Sequence, residues 1–188
     1  MKRQLRQAMF PDRDGVLNRA IVRNETPHPP VTPAELESLP DASKALRVLK
    51  VAGFLLIGAT NQPNVARVTQ GRGAVEVINA ALLAALPLLE ILAYSHDDRE
   101  GCDCRKPLPG LVVQAAARHP IDLSSSCMIG DRWKDVETGH RACCRTVSID
   151  YRYGQMGLGR RPPHYTAYSL SEAAGWILRE SNEVGGII

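Results

Sequence analysis

The sequence predicts an α/β fold, a mostly parallel sheet with helices on both faces. Three observations predict it. Short apolar runs recur at Gln7–Phe10, Gly53–Ala59, Leu88–Tyr94, Cys127–Gly130 and Arg145–Ile149. Amphipathic segments of helical period lie between them, and strands that alternate with helices pair in parallel. Polar clusters follow several of the runs, and ligands of such sheets bind beyond the C-terminal ends of the strands.

Each element has a local reason. Gln7–Phe10 is a short strand that ends at Pro11. Asp41, behind Pro40, can cap a helix reaching about Val51, with Ala45, Leu46, Val48 and Leu49 as its apolar face. Gly53–Ala59 is apolar throughout, as a buried strand should be. A second helix, Val75–Leu86, is stopped by Pro87. Pro109–Arg118 and Arg132–Arg141 form the third and fourth helices. Ser169 and Glu172 stand at capping-box spacing and open a last helix through Arg179. Two segments read as loops: Arg19–Pro40, with five prolines and no periodicity, and Ser95–Leu108, charged and cysteine-rich. Neither is long enough to form a separate cap domain. The expectation is one domain over residues 1–188, with an open site bordered by these loops.

Composition narrows the function. A chain of 188 residues, 44% hydrophobic, suits a single full core. Net charge is +3, without a long Lys/Arg run. That fits a small anionic substrate and gives no basic stripe for nucleic acid. No apolar stretch reaches the roughly 18 residues of a membrane span. Only Ala8-Met9-Phe10 follows the basic Met1–Gln7, too little for a signal-peptide core. A cytoplasmic protein acting on a small phosphorylated metabolite is expected, with neither nucleic acid nor membrane as partner. The five cysteines include Cys102-x-Cys104 and the adjacent Cys143-Cys144. That pattern fits a reducing compartment and a metal better than a disulfide framework.

Four clusters carry chemistry. In Phe10-Pro11-Asp12-Arg13-Asp14-Gly15, two carboxylates two residues apart can face one pocket if the chain bends, and Gly15 permits the bend. A phosphate ester needs an oxygen nucleophile, which Asp12 can supply, and a proton for its leaving group, which Asp14 can supply. A surface turn would use the same residue types. Thr60-Asn61-Gln62 offers a hydroxyl and backbone N–H groups for a phosphate oxygen, or an ordinary strand-to-helix turn. Lys106, in Cys104-Arg105-Lys106-Pro107, can neutralise phosphoryl and carboxylate charge; a solvated basic pair is the plainer reading. Asp131 follows the Cys127–Gly130 strand and Asp135 lies one helical turn later. Hard carboxylate oxygens suit Mg²⁺, while Asp131 is equally a good helix cap.

Four such clusters in this order are far more specific than any one. FPDRDGVLN, TNQPNVAR, HDDREGCDCRKPLPG and IGDRWKDVETG resemble the haloacid dehalogenase (HAD) superfamily. The likeness runs from about residue 8 to residue 150 and is narrowest to the capless branch of heptose 1,7-bisphosphate phosphatases and histidinol-phosphatases. It implies a Rossmann-like HAD fold. It implies Asp12 as nucleophile, Asp14 as acid/base, Thr60 and Lys106 as phosphate-binding groups, and Asn61 and Arg105 as substrate contacts. It implies Mg²⁺ held by Asp12, Asp14, Asp131 and Asp135. The substrate implied first is a heptose bisphosphate. Histidinol phosphate is the enzymatic alternative, and a non-catalytic phosphosugar- or zinc-binding domain is the alternative of another class.

The chain departs from that pattern in places. The family's zinc loop has four ligands, and here Tyr94 stands at the first cysteine position. His96, Cys102 and Cys104 remain as a tentative structural zinc set. Pro11 stands where the family has an apolar residue with an N–H, and Val68 where it often has glycine.

Overall fold

The computed structural model describes residues 4–23, 26–68, 70–95, 102–152 and 161–185, with the side chains of 182–185 left out. The five apolar runs all form strands: β1 (Ala8–Pro11), β4 (Leu55–Asn61), β5 (Glu90–Tyr94), β6 (Cys127–Gly130) and β7 (Arg145–Ile149). With β8 (Tyr165–Ala167) they make one six-stranded sheet in the order β5-β4-β1-β6-β7-β8, and every pairing is parallel.

Alternation along the strands sorts the core into two layers. Met9, Leu56 and Ile129 face one side, against Leu46 and Leu49 of α1 (Ala42–Val51), Ile78 and Leu82 of α2 (Arg72–Ala85) and Ile177 of α5 (Leu170–Gly185). Phe10, Ile57 and Met128 face the other, against Val112 and Ala115 of α3 (Gly110–Arg118) and Ala142 at the end of α4 (Trp133–Arg141). The chain runs outward from β1 to β4 and β5, then returns to β6 on the other side of β1. That reversal opens a crevice beyond the C-terminal ends of β4, β1 and β6.

Pro11 fits the centre of the sheet for a specific reason. Pairing with β6 runs to Pro11–Ile129, and Asp12 N–H donates to the Ile129 carbonyl at 2.8 Å. Pairing with β4 covers only Ala8 and Met9. Donors alternate between the two sides of a strand. The missing N–H of Pro11 therefore falls where the β4 ladder has already ended.

Three expectations need correction. Arg19–Pro40 is not structureless: β2 (Ile21–Arg23) and β3 (Thr26–His28) form an antiparallel hairpin, followed by a 3-10 turn at Pro33–Glu35. Its prolines sit at the edge of a two-stranded ribbon or in turns, where a missing donor costs little. Asp41 precedes α1 but makes no side-chain cap there; its carboxylate accepts from the backbone N–H of Ser171 at 2.9 Å, at the start of α5. The edge strand β8, three residues long, carries no periodicity that could announce it. No helix of the described residues is long and apolar enough to cross a membrane.

Candidate active site

The crevice gathers the four clusters. Asp12 and Asp14 follow β1, Thr60 and Asn61 end β4, and Asp131 follows β6. Asp135 lies in the first turn of α4, and Lys106 comes from the loop after β5. A cleft of about 250 Å³ opens over them, lined by Asp12, Asp14, Asn61, Arg105, Lys106 and Asp135 among others. A second cleft of about 240 Å³ lies at the opposite strand ends, between Gln7, Ser126 and Trp176. Among the described residues it holds no carboxylate cluster.

Lys106 is buried and anchors the centre. Its ammonium donates to Asp12 Oδ1 at 2.7 Å, to Asp135 Oδ1 at 2.5 Å and to the Ala59 carbonyl at 2.8 Å. Burial works against its charge, but Asp12 and Asp135 more than offset that and hold the ammonium above the ordinary lysine range. The loop that presents it is fastened to β4. Lys106 N–H donates to Asn61 Oδ1 at 3.0 Å, and Asn61 Nδ2 donates back to the Lys106 carbonyl at 3.0 Å. Asn61, expected to contact substrate, thus spends its amide on positioning Lys106 while still bordering the cleft.

Ligand oxygens of Asp12, Asp131 and Asp135 converge within 4.8 Å of one another. Asp131 is 4% exposed, and both its carboxylate oxygens are buried without a hydrogen-bond partner. Burial, then the charges of Asp12 and Asp135, push its carboxyl group well above the usual carboxylate range. Arg132 Nε stands 3.7 Å from Asp131 Oδ1, an ion pair beyond hydrogen-bond reach, and a buried carboxylate without hydrogen bonds is costly unless cationic charge meets it closely. The donor set is all oxygen, so these three residues fit a hard divalent cation such as Mg²⁺. Gly15 makes room for the cluster: its φ is +94°, and a Cβ there would overlap the Asp131 carboxylate.

Asp14 stands outside that cluster. Its carboxylate accepts from Arg13 Nε and Nη2, each at 3.1 Å, from Asn18 Nδ2 at 3.1 Å and from Gln62 Nε2 at 2.7 Å. Gln62 also donates to Thr60 Oγ1 at 3.0 Å, which ties the expected phosphate-binding hydroxyl to the expected acid/base. Four donors hold the Asp14 side chain, and of the expected four carboxylates Asp12, Asp131 and Asp135 bring their oxygens together.

The zinc set falls only partly on the described residues. Cys102 and Cys104 are joined in a disulfide, which leaves no thiolate for a metal. His96 lies outside the described residues. Tyr94 is 2% exposed and packs with Ala59 and Leu111, a core position rather than a ligand position.

Several site residues escaped the sequence reading. Arg13, Asn18 and Gln62 surround Asp14, although all three lie inside the quoted motifs. His28, Arg67, Arg132 and Lys134 line the cleft. Arg132 also donates to the Pro27 carbonyl at 3.0 Å and so braces the β2–β3 hairpin at the rim. A hairpin without a strand signal gives no hint that His28 reaches the site.

Comparison with known proteins agrees with this geometry. The HAD-hydrolase-like family matches residues 103–173. A D-glycero-beta-D-manno-heptose-1,7-bisphosphate 7-phosphatase of Pseudomonas aeruginosa is 30% identical over 166 residues, 86% of this chain and 90% of that protein. A D-glycero-alpha-D-manno-heptose-1,7-bisphosphate 7-phosphatase of Mycobacterium tuberculosis is 32% identical over 152 residues, 75% of this chain and 78% of that protein. The crystal structure of the D,D-heptose 1,7-bisphosphate phosphatase of B. bronchiseptica, complexed with magnesium and phosphate, superposes with a TM-score of 0.78 at 26% identity, covering 93% of this chain and 99% of that one. The order of the strands, the carboxylates at their ends and these likenesses together place the chain in the HAD-like hydrolase family, as one of its phosphomonoester-hydrolysing phosphatases.

Proposed function

We propose that this phosphatase hydrolyses a sugar bisphosphate, D-glycero-D-manno-heptose 1,7-bisphosphate first, through an aspartyl-phosphate on Asp12. The observation that carries this reading is the Asp12–Lys106–Asp135 arrangement at the centre of the crevice. Asp12 borders the cleft while Lys106 fixes one of its oxygens. An Asp12 carboxylate oxygen attacks phosphorus and forms the O–P bond. The bond to the leaving oxygen breaks, and Asp14 gives that oxygen a proton. Asp14 then takes a proton from water as the water oxygen attacks phosphorus and releases Asp12. Lys106 and Thr60 hold phosphoryl oxygens through both steps, and most of the acceleration is electrostatic. A divalent cation held by Asp12, Asp131 and Asp135 supplies further neutralisation of phosphoryl charge when bound. This reading takes the chain as one domain, with no large cap over the site among the described residues.

The rim supports a second anionic group on the substrate. Arg67, Arg105, Arg132, Lys134 and His28 border the same cleft. Histidinol phosphate would bring an amine and an imidazole against these cations, whereas a bisphosphate brings a second phosphate. The relatives include enzymes named for both anomers, so rim geometry and not the catalytic set carries the anomeric preference. Steady-state assay of Mg²⁺-loaded enzyme on both heptose bisphosphate anomers, heptose 7-phosphate and histidinol phosphate tests the reading. It expects a bisphosphate to lead in kcat/KM; preference for histidinol phosphate contradicts it.

A further inference from the structure

Gln70 is 4% exposed and does not border the cleft. It stands two residues before α2, whose Val75 and Ile78 are buried. Its side-chain amide donates to the Pro30 carbonyl and to the Val31 carbonyl, both at 3.0 Å. Only the NH₂ end of an amide can meet two carbonyls, so these partners fix the orientation of the side chain. The backbone N–H of Gln70 donates to the Asn64 carbonyl at 3.1 Å. One residue thus joins two stretches of chain that are far apart in sequence.

Both stretches are walls of the cleft. Thr26, Pro27, His28 and Pro29 line one side, and Pro63, Asn64 and Arg67 line another. Thr26 and His28 share the exposed face of β3, with Pro27 buried between them. Three of the four residues from Pro27 to Pro30 are prolines and have no N–H to extend a ladder. Carbonyls there are met by side chains instead: Arg132 reaches Pro27, and Gln70 reaches Pro30 and Val31. Arg132 adjoins Asp131 in sequence, so Gln70 is the clamp that can be tested apart from the carboxylates.

We propose that Gln70 is a positioning residue for substrate selection: it sets the spacing between the wall that carries His28 and the loop that carries Arg67, and so places the contacts for the substrate's second anionic group. This rests on the reading of the substrate as a sugar bisphosphate.

The experiment compares two substrates with the same leaving group, D-glycero-D-manno-heptose 1,7-bisphosphate and heptose 7-phosphate. The ratio of their kcat/KM values reports recognition of the second phosphate and is independent of how much of a preparation is folded. Gln70→Met keeps the length of the side chain and removes both donors. It should lower the ratio on the order of tenfold, the low end of what a hydrogen bond to a charged group contributes. The loss should appear as a raised KM for the bisphosphate, with kcat and the heptose 7-phosphate constants within about twofold of wild type. Gln70→Glu sets an acceptor against two carbonyls and should lower the ratio further; if it fails to fold, the Met variant decides. In an Arg67→Met background, Gln70→Met should cost less than it does alone. A wild-type ratio in the Gln70 variants, an equal loss on both substrates, or an undiminished further loss beside Arg67→Met overturns the proposal, while a wild-type preference for the bisphosphate leaves the substrate reading standing. A wild-type enzyme that does not prefer the bisphosphate to heptose 7-phosphate removes that reading and the proposal with it.

Discussion

Two backbone positions show how single residues shape this site. Gly15 combines a left-handed φ of +94° with a Cβ direction that points into the Asp131 carboxylate. Gly15→Ala should therefore displace a metal ligand. The expected result is a weakening of Mg²⁺ half-saturation by about 10–100-fold, as for other groups that orient ligands, with the fold retained by circular dichroism. An unchanged metal requirement contradicts that placement of Asp131. Val68 is the mirror case. Its φ is +57° and its side chain is 89% exposed, so it bears left-handed strain with no packing in return. This is the position where the resemblance led one to expect glycine. Val68→Gly should raise stability by about 1 kcal/mol, less whatever freedom glycine adds to the unfolded chain. A urea midpoint that stays put or falls contradicts it. The sequence made the departure at Val68 visible; only the backbone angle turns it into an energy.

At the scale of elements, strands were legible and their edges were not. Cys127–Gly130 and Arg145–Ile149 form strands with the expected bounds, because buried parallel strands are continuous apolar runs. The β2–β3 hairpin and β8 are short and half polar, so no period marks them. Asp41 shows a further limit. Its capping residue type was plain, but its partner is Ser171, 130 residues away, and not α1. Asp41→Ala should cost about 1 kcal/mol by taking the acceptor from the Ser171 N–H at the start of α5, and denaturant unfolding measures it. The β7–β8 junction carries a pH dependence. Thr146 N–H donates to His164 Nδ1 at 3.1 Å, so that nitrogen must be unprotonated. Burial, then the neighbouring His140 and Arg145, hold the His164 pKa below its ordinary 6.5, against a smaller pull from Glu180. The folded state therefore binds this proton less readily than the unfolded chain. Stability is undiminished above the ordinary value and falls as pH drops through it, until the lower folded value is passed. Thermal melts between pH 7.5 and 5 should show the fall, and His164→Asn should flatten it; an equal slope in the variant contradicts the assignment.

At the scale of the whole molecule, the sheet order is what turns four separated motifs into one site. Asp12, Thr60, Lys106 and Asp131 span much of the sequence, yet they come from the C-terminal ends of β1, β4 and β6 and from the loop after β5, all beside the same reversal of chain direction. That much was readable, since motif order and strand order follow one rule. What was not readable is the division of labour among neighbours: Asn61 holding Lys106, Arg13 holding Asp14, and Cys102 bonded to Cys104. These depend on side-chain directions that no spacing encodes. The proposed cation requirement rests on the assembled carboxylates. Exhaustive EDTA dialysis should abolish turnover and Mg²⁺ should restore it; activity that survives dialysis unchanged contradicts the role given to Asp12, Asp131 and Asp135. The most direct test of the covalent route is to trap it. Enzyme turning over substrate labelled in the phosphoryl group is quenched in acid, digested and mapped by mass spectrometry. A phosphoryl adduct on the peptide containing Asp12, removed by hydroxylamine and absent in Asp12→Asn, is the predicted result. Full turnover with no adduct at Asp12, or an Asp12→Asn enzyme that keeps more than about a tenth of the rate, would contradict it.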